Sequence, residues 1–160
     1  MNFKMNYKKA LAKLICVTVV LLVLISCGES KTLTIYYAKD ASPKEILAAK
    51  ELQKYIYVRS GELPEIAVYE GKEQVKGKAI ILSQFEKFEN KSNVIKVEGD
   101  SYLLKSEEKD QLFIVGGSSE GILYGAYKYI ESLGVGFMID GDIIPDEKLD
   151  TVKLNGFNET

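Results

Sequence analysis

The chain has 160 residues, 21 of them lysine or arginine and 23 aspartate or glutamate, for a formal net charge of −2. It holds no histidine or tryptophan and two cysteines, which excludes an imidazole base and a histidine zinc triad and leaves chemistry to carboxylates, lysines, tyrosines and hydroxyls. The acidic balance, with Arg59 the sole arginine among scattered lysines, argues against a nucleic-acid partner.

The first predicted element is a leader over residues 1–26. Lys4, Lys8, Lys9 and Lys13 form a basic run, residues 14–25 an apolar core, and Ser26 supplies the small residue before a cut. An apolar core this short falls below the roughly 20 residues needed to span a bilayer, so cleavage is expected rather than a permanent span. Leu24-Ile25-Ser26-Cys27 resembles the lipobox of bacterial lipoproteins. That resemblance implies cleavage between Ser26 and Cys27, a lipid on Cys27 and anchoring in the cell envelope, inner or outer membrane undecided. Each buried methylene contributes about 0.8 kcal/mol, so two or three acyl chains hold firmly. Cys16 leaves with the leader and Cys27 carries lipid, so neither a disulfide nor a thiolate nucleophile is expected. Without the four leader lysines the net charge is about −6.

A short tether, 27–31, precedes a strand over 32–37, where Leu33, Ile35 and Tyr37 share one face. Ser42-Pro43-Lys44-Glu45 is an N-cap, a first-turn proline and a capping glutamate, and Ile46, Ala49, Leu52 and Ile56 recur at helical spacing until Ser60-Gly61. Strands follow over 66–69 and 78–83, the second apolar on both faces and therefore central. After a polar loop, 85–93, three strands over 94–97, 102–106 and 112–115 read as an antiparallel meander. A second helix spans 120–133 with Ile122, Ala126, Tyr127 and Ile130 on its apolar side, closed by Gly134. Residues after 140 read as an irregular exit ending in a strand over 151–154. The whole is an α+β fold: a mixed sheet of five to six strands with two helices packed on one face.

Several patterns carry candidate chemistry, each weighed against a plain structural role. Gly116-Gly117-Ser118-Ser119-Glu120-Gly121 sits where phosphates are held, but it lacks a P-loop lysine and Glu120 opposes an anion; a capped turn is the better reading. Asp140-Gly141-Asp142 lacks the remaining ligands of a calcium loop, and a solvated turn is expected, with no metal and no cofactor. No pair of acids stands out as a glycosidase couple. Ten tyrosines against six phenylalanines suit stacking on sugar faces, although packing in strands and helices accounts for most of them.

Ile114-Val115-Gly116-Gly117, Gly121-Ile122-Leu123-Tyr124-Gly125-Ala126-Tyr127, Leu133-Gly134-Val135-Gly136-Phe137 and Ile144-Pro145 together resemble the small N-terminal domain that precedes the catalytic barrel in bacterial β-N-acetylhexosaminidases and α-glucuronidases. The likeness covers most of residues 32–150, with 151–160 as a linker towards the barrel. It departs at Glu120, where the family often has arginine, and at Gly136-Phe137, where it has arginine and a larger aromatic. Gly121 and Gly125 clear one helix stripe for close approach to the sheet, despite about 1 kcal/mol each in helix propensity. The resemblance implies a lipid-anchored accessory domain of a glycoside hydrolase, without catalytic residues of its own, whose barrel lies beyond Thr160 or on another polypeptide. The alternative is a stand-alone surface lipoprotein that binds glycans through exposed tyrosines.

Overall fold

The computed structural model describes residues 32–71, 75, 77–88, 95–107 and 110–159. The predicted leader, the tether, Ser26 and Cys27 lie outside the described residues, as do 89–93 of the predicted loop and Val94. All described residues belong to one compact unit, Lys31–Thr160.

Local signals set the first elements. Strand β1 (Thr34–Ala38) leads into helix α1 (Pro43–Ser60), where the Ser42 hydroxyl accepts from the Glu45 amide and the Glu45 carboxylate accepts from the Ser42 amide at 2.5 Å. This reciprocal box satisfies two of the helix's unpaired amides, and Pro43 needs no donor at its position. Gly61, at φ 79°, ends the helix by donating to the Tyr57 carbonyl. Strands β2 (Glu65–Tyr69), β3 (Ala79–Gln84), β4 (Tyr102–Glu107) and β5 (Gln111–Gly116) follow, then helix α2 (Ser119–Ser132), strands β6 (Gly136–Met138) and β7 (Gly141–Ile143), and β8 (Asn158–Glu159).

The main sheet runs β2-β1-β3-β5-β4-β8. Strand β1 lies parallel to β2 and β3, and β3 parallel to β5; β4 turns back antiparallel to β5 and accepts β8 at its far edge. The alternation of period two decides which side chains meet the helices. Ile80 and Leu82 of β3, with Leu112 and Ile114 of β5, pack against Ala49, Leu52 and Ile56 of α1 and Ile122, Ala126 and Ile130 of α2. Ala79, Ile81, Phe113 and Val115 face the other way, under Phe88 and Val97. The α+β fold is thus a six-stranded mixed sheet with both helices on one face, and β3 is central as its apolar run predicts.

Three expectations are corrected. Only β4 and β5 form the hairpin of the predicted meander: residues 95–97 make no strand, and Val97 instead plugs the second core cluster while Ile95 stands in solvent. Residues 151–154 bury Val152 and Leu154 without joining a ladder, and the edge strand is β8. The exit after Asp140 is not irregular at its start, because β7 pairs with β6 as a separate hairpin.

Candidate functional site

The glycine-rich turn is filled by the protein's own groups. The Ser118 hydroxyl accepts from the Gly121 amide at 3.2 Å and donates to Asp100 at 2.9 Å, and the Gly117 amide donates to the Ser101 carbonyl. A Cβ on Gly116 would lie 2.4 Å from the Ile122 nitrogen, one on Gly117 2.4 Å from the Glu98 carbonyl carbon, and one on Gly121 2.3 Å from the Ser101 oxygen. On Gly125 it would meet the Ile114 side chain at 2.7 Å. These glycines bring α2 down onto the sheet and the loop before β4. Two acids beside the turn make it a poor anion seat: Asp100, and Glu120, whose hydrogen bond from Lys44 and then from Ser119 holds its carboxyl down to about 2. Gly134, at φ 90°, supplies the left-handed residue after α2.

The motif tyrosines part company. Tyr124 is half exposed on the outer side of α2, whereas Tyr127, one turn on, leans into an open cleft of about 510 Å³. Tyr55 of α1, Phe137 of β6, Asp142 of β7 and Glu131 of α2 line the rest of it. Phe137 is wedged edge-on between two rings, 5.5 Å from Tyr55 and 4.9 Å from Tyr127 between centroids, a geometry that aligns ring edge with π face. The buried Tyr55 hydroxyl donates to Asp142, directly across the hairpin from Phe137. Lys54 donates to the same hydroxyl at 3.1 Å. Burial and then the bond to Asp142 push the Tyr55 phenol up; burial and then the charge of Glu51 do so for Tyr127.

Asp140 and Gly141 are exposed at the turn of the hairpin as their Asp-Gly-Asp context suggests, and Asp142, exposed as well, also accepts from the Tyr55 hydroxyl with one carboxylate oxygen. Sequence reading misses this cleft because its parts come from four elements; the one available signal was Tyr127 on the apolar side of its helix and Tyr55 beside the apolar stripe of α1. Of the remaining tyrosines weighed for a sugar platform, Tyr36 and Tyr129 are buried. Among the described residues no cluster of three acids or cysteines is placed to hold a metal, and no helix is long and apolar enough to cross a membrane.

The same hairpin carries an apolar outer side. Met138, Ile139 and Ile143 are exposed by 57%, 110% and 56%, with Ile144 beside them at 37%. The wedge of Phe137 and the Tyr55–Asp142 bond hold the opposite side of the hairpin against the body of the fold. Below it, buried Arg59 clamps three carbonyls: Leu133 at 2.8 Å, Pro145 at 2.7 Å and Glu147 at 2.6 Å.

No curated protein matches the sequence. Among solved structures, the fold resembles part of a GH138 enzyme targeting pectin rhamnogalacturonan II, at 14% identity and a TM-score of 0.46 over 64% of this chain and 13% of that one. It also resembles part of a GH115 4-O-methyl-α-glucuronidase with specificity for decorated arabinogalactans, at 15% identity and a TM-score of 0.49 over 65% and 14% of the two chains. The chain spans about one-seventh of the length of these enzymes. The family model described as the glycosyl hydrolase family 67 N-terminus matches residues 25–129, a stretch that holds strands β1 to β5 of the main sheet, both helices bar the last turn of α2, and the glycine-rich turn between β5 and α2, and the chain belongs to that family.

Proposed function

We propose that this chain is the lipid-anchored, non-catalytic accessory domain of a glycoside hydrolase, seated against the enzyme's catalytic barrel through the outer side of the β6–β7 hairpin. Membership of an N-terminal glycosyl hydrolase family supports carbohydrate degradation as the setting. The observation that carries the seating is the cluster of Met138, Ile139, Ile143 and Ile144, exposed on a hairpin that aromatic packing holds in place. Exposed apolar side chains gathered on one rigid element favour a protein partner, since burying them stabilises an interface by roughly 25 cal/mol per Å². Cys27, behind its lipobox-like sequence, supplies the anchor.

Two measurements test the two halves. The reading frame past codon 160, or the neighbouring gene, should encode a barrel; mixed with this chain it should sediment as a 1:1 complex, weakened about tenfold or more by Ile139→Asp with Ile143→Asp. A chain that stays monomeric beside that barrel removes the seating. Radiolabelled palmitate should enter the wild-type chain in growing cells and not the Cys27→Ser variant; equal labelling of both removes the anchor.

A stand-alone surface carbohydrate-binding lipoprotein is the second reading, favoured by the aromatic cleft.

A further inference from the structure

We infer that the cleft between Tyr55, Tyr127 and Phe137 is a binding site for an uncharged pyranose, with Asp142, Glu131 and the Tyr127 hydroxyl as its hydrogen-bonding groups. The inference rests on the cleft alone and stands or falls apart from the seating of the hairpin on a barrel.

A volume of about 510 Å³ falls among clefts that hold small molecules, typically about 300–1,000 Å³. Its lining combines what a sugar ring requires. Aromatic surface offers a face for the axial C–H groups, and carboxylates accept from adjacent hydroxyls. Tyr55 is buried at 2% exposure, so the half-buried Tyr127 and Phe137 supply the aromatic surface. The Tyr127 hydroxyl bonds to no described residue, although its ring is fixed by Phe137. Asp142 gives one oxygen, Oδ2, to Tyr55 and keeps the other. Glu131 reaches only Lys128, at 3.5 Å along the same helix. A ligand here meets groups already positioned, so little ordering cost opposes binding.

Charge narrows the ligand. Glu131 and Asp142 line the cleft with Glu51 nearby, three acids against two cations: Lys128, which pairs with Glu131, and Lys54, which is engaged with Glu51 and the Tyr55 hydroxyl and lies 4.3 Å from that ring's centroid. An anionic sugar would face repulsion from the acids and from the negative faces of the rings. Neutral hydroxyls instead gain acceptors. The cleft therefore selects against uronates and in favour of neutral rings.

The full chain in a sugar-free polyoxyethylene detergent, titrated with methyl β-glucopyranoside and followed by amide NMR, should show saturable shifts at residues 54–55, 127, 131, 137 and 142. Glucuronate at equal concentration should produce shifts at least tenfold weaker. Tyr127→Phe keeps the ring that holds Phe137 and removes the hydroxyl, so it should weaken binding about fivefold with an unchanged amide spectrum elsewhere. Asp142→Asn keeps an acceptor for Tyr55, and should relax the exclusion of glucuronate. Failure of methyl glucoside, galactoside, mannoside and xyloside alike to shift these amides overturns the inference. So does glucuronate or glucosamine binding more tightly than every neutral glycoside.

Discussion

Gly121→Ala should destabilise the fold by about 3 kcal/mol, the reverse of the gain a glycine-to-alanine change brings on an open helix face. The new methyl carbon would sit 2.3 Å from the Ser101 carbonyl oxygen, with the Ser101 and Asp100 carbonyl carbons next at 3.2 and 3.3 Å. All three are backbone atoms, so no side chain can rotate away. Relief requires α2 to lift from the loop before β4, which breaks the bond from Gly117 to Ser101 and strains the Ser118 cap. Gly125→Ala should cost less, because its nearest neighbour at 2.7 Å is the Cγ2 methyl of the Ile114 side chain rather than a backbone atom. Gly136→Ala, with only an ordinary contact at 3.5 Å to Ile143, should be near neutral. Urea unfolding of the three variants checks the order; equal midpoints for Gly121→Ala and Gly136→Ala would refute the close approach as the reason for the glycine.

Arg59→Met should cost a similar amount, about 3 kcal/mol, by a different route. The guanidinium is buried at 4% exposure and its acceptors are backbone carbonyls, those of Leu133, Pro145 and Glu147. The first belongs to the C-terminal end of α2, where unpaired carbonyls give the helix its negative pole. Removing the donor leaves three oxygens turned inward with no partner. The planar fork serves them from one side chain, so Arg59→Lys should recover only part of the loss. The damage has a stated place: amide exchange should quicken around residues 133–134 and 145–149, where the Leu149 amide also donates to the Arg59 carbonyl at 2.7 Å. Protection there equal to wild type would show that the clamp does not hold the exit segment.

The two sites differ in how far the sequence announces them. Gly121 and Gly125 stand at four-residue spacing, and a helix that accepts such a cost signals close packing from the sequence alone. Arg59 stands out in sequence only as the sole arginine, and its clamp is not legible there because all three of its partners lie more than seventy residues away. The same division runs through the fold. Helix α1 is legible from Ser42, Pro43 and Glu45, since every bond of its cap closes within four residues. Strand β3 is legible from its uninterrupted apolar run. Residues 95–97 mislead, because alternating apolar and polar residues fit a strand as well as a plug, and only the apolar sheet face that Val97 covers decides for the plug. Residues 151–154 mislead likewise: Val152 and Leu154 alternate like a strand, yet they fill the space beside Tyr129, whose hydroxyl donates to the Lys153 carbonyl at 2.9 Å. The cleft was beyond sequence reading, since Tyr55, Tyr127, Phe137 and Asp142 meet only after two helices and a hairpin have docked.

The order of strands also bears on how the chain finds this arrangement. Residues 34–69 can assemble locally, since β1, α1 and β2 are consecutive and Ile35 finds Ile66 without waiting for anything else. Strand β3 pairs with neither strand next to it in sequence: it must slot between β1, at Ile35↔Ile80, and β5, at Ile80↔Leu112. Two long loops therefore close before the centre of the sheet is rewarded, and the search is slower than in bundles built from local contacts. Until that insertion the inner edge of β1 stands open, a template on which a second nascent chain can add a strand. Dilution during refolding should raise the yield of monomer for this reason.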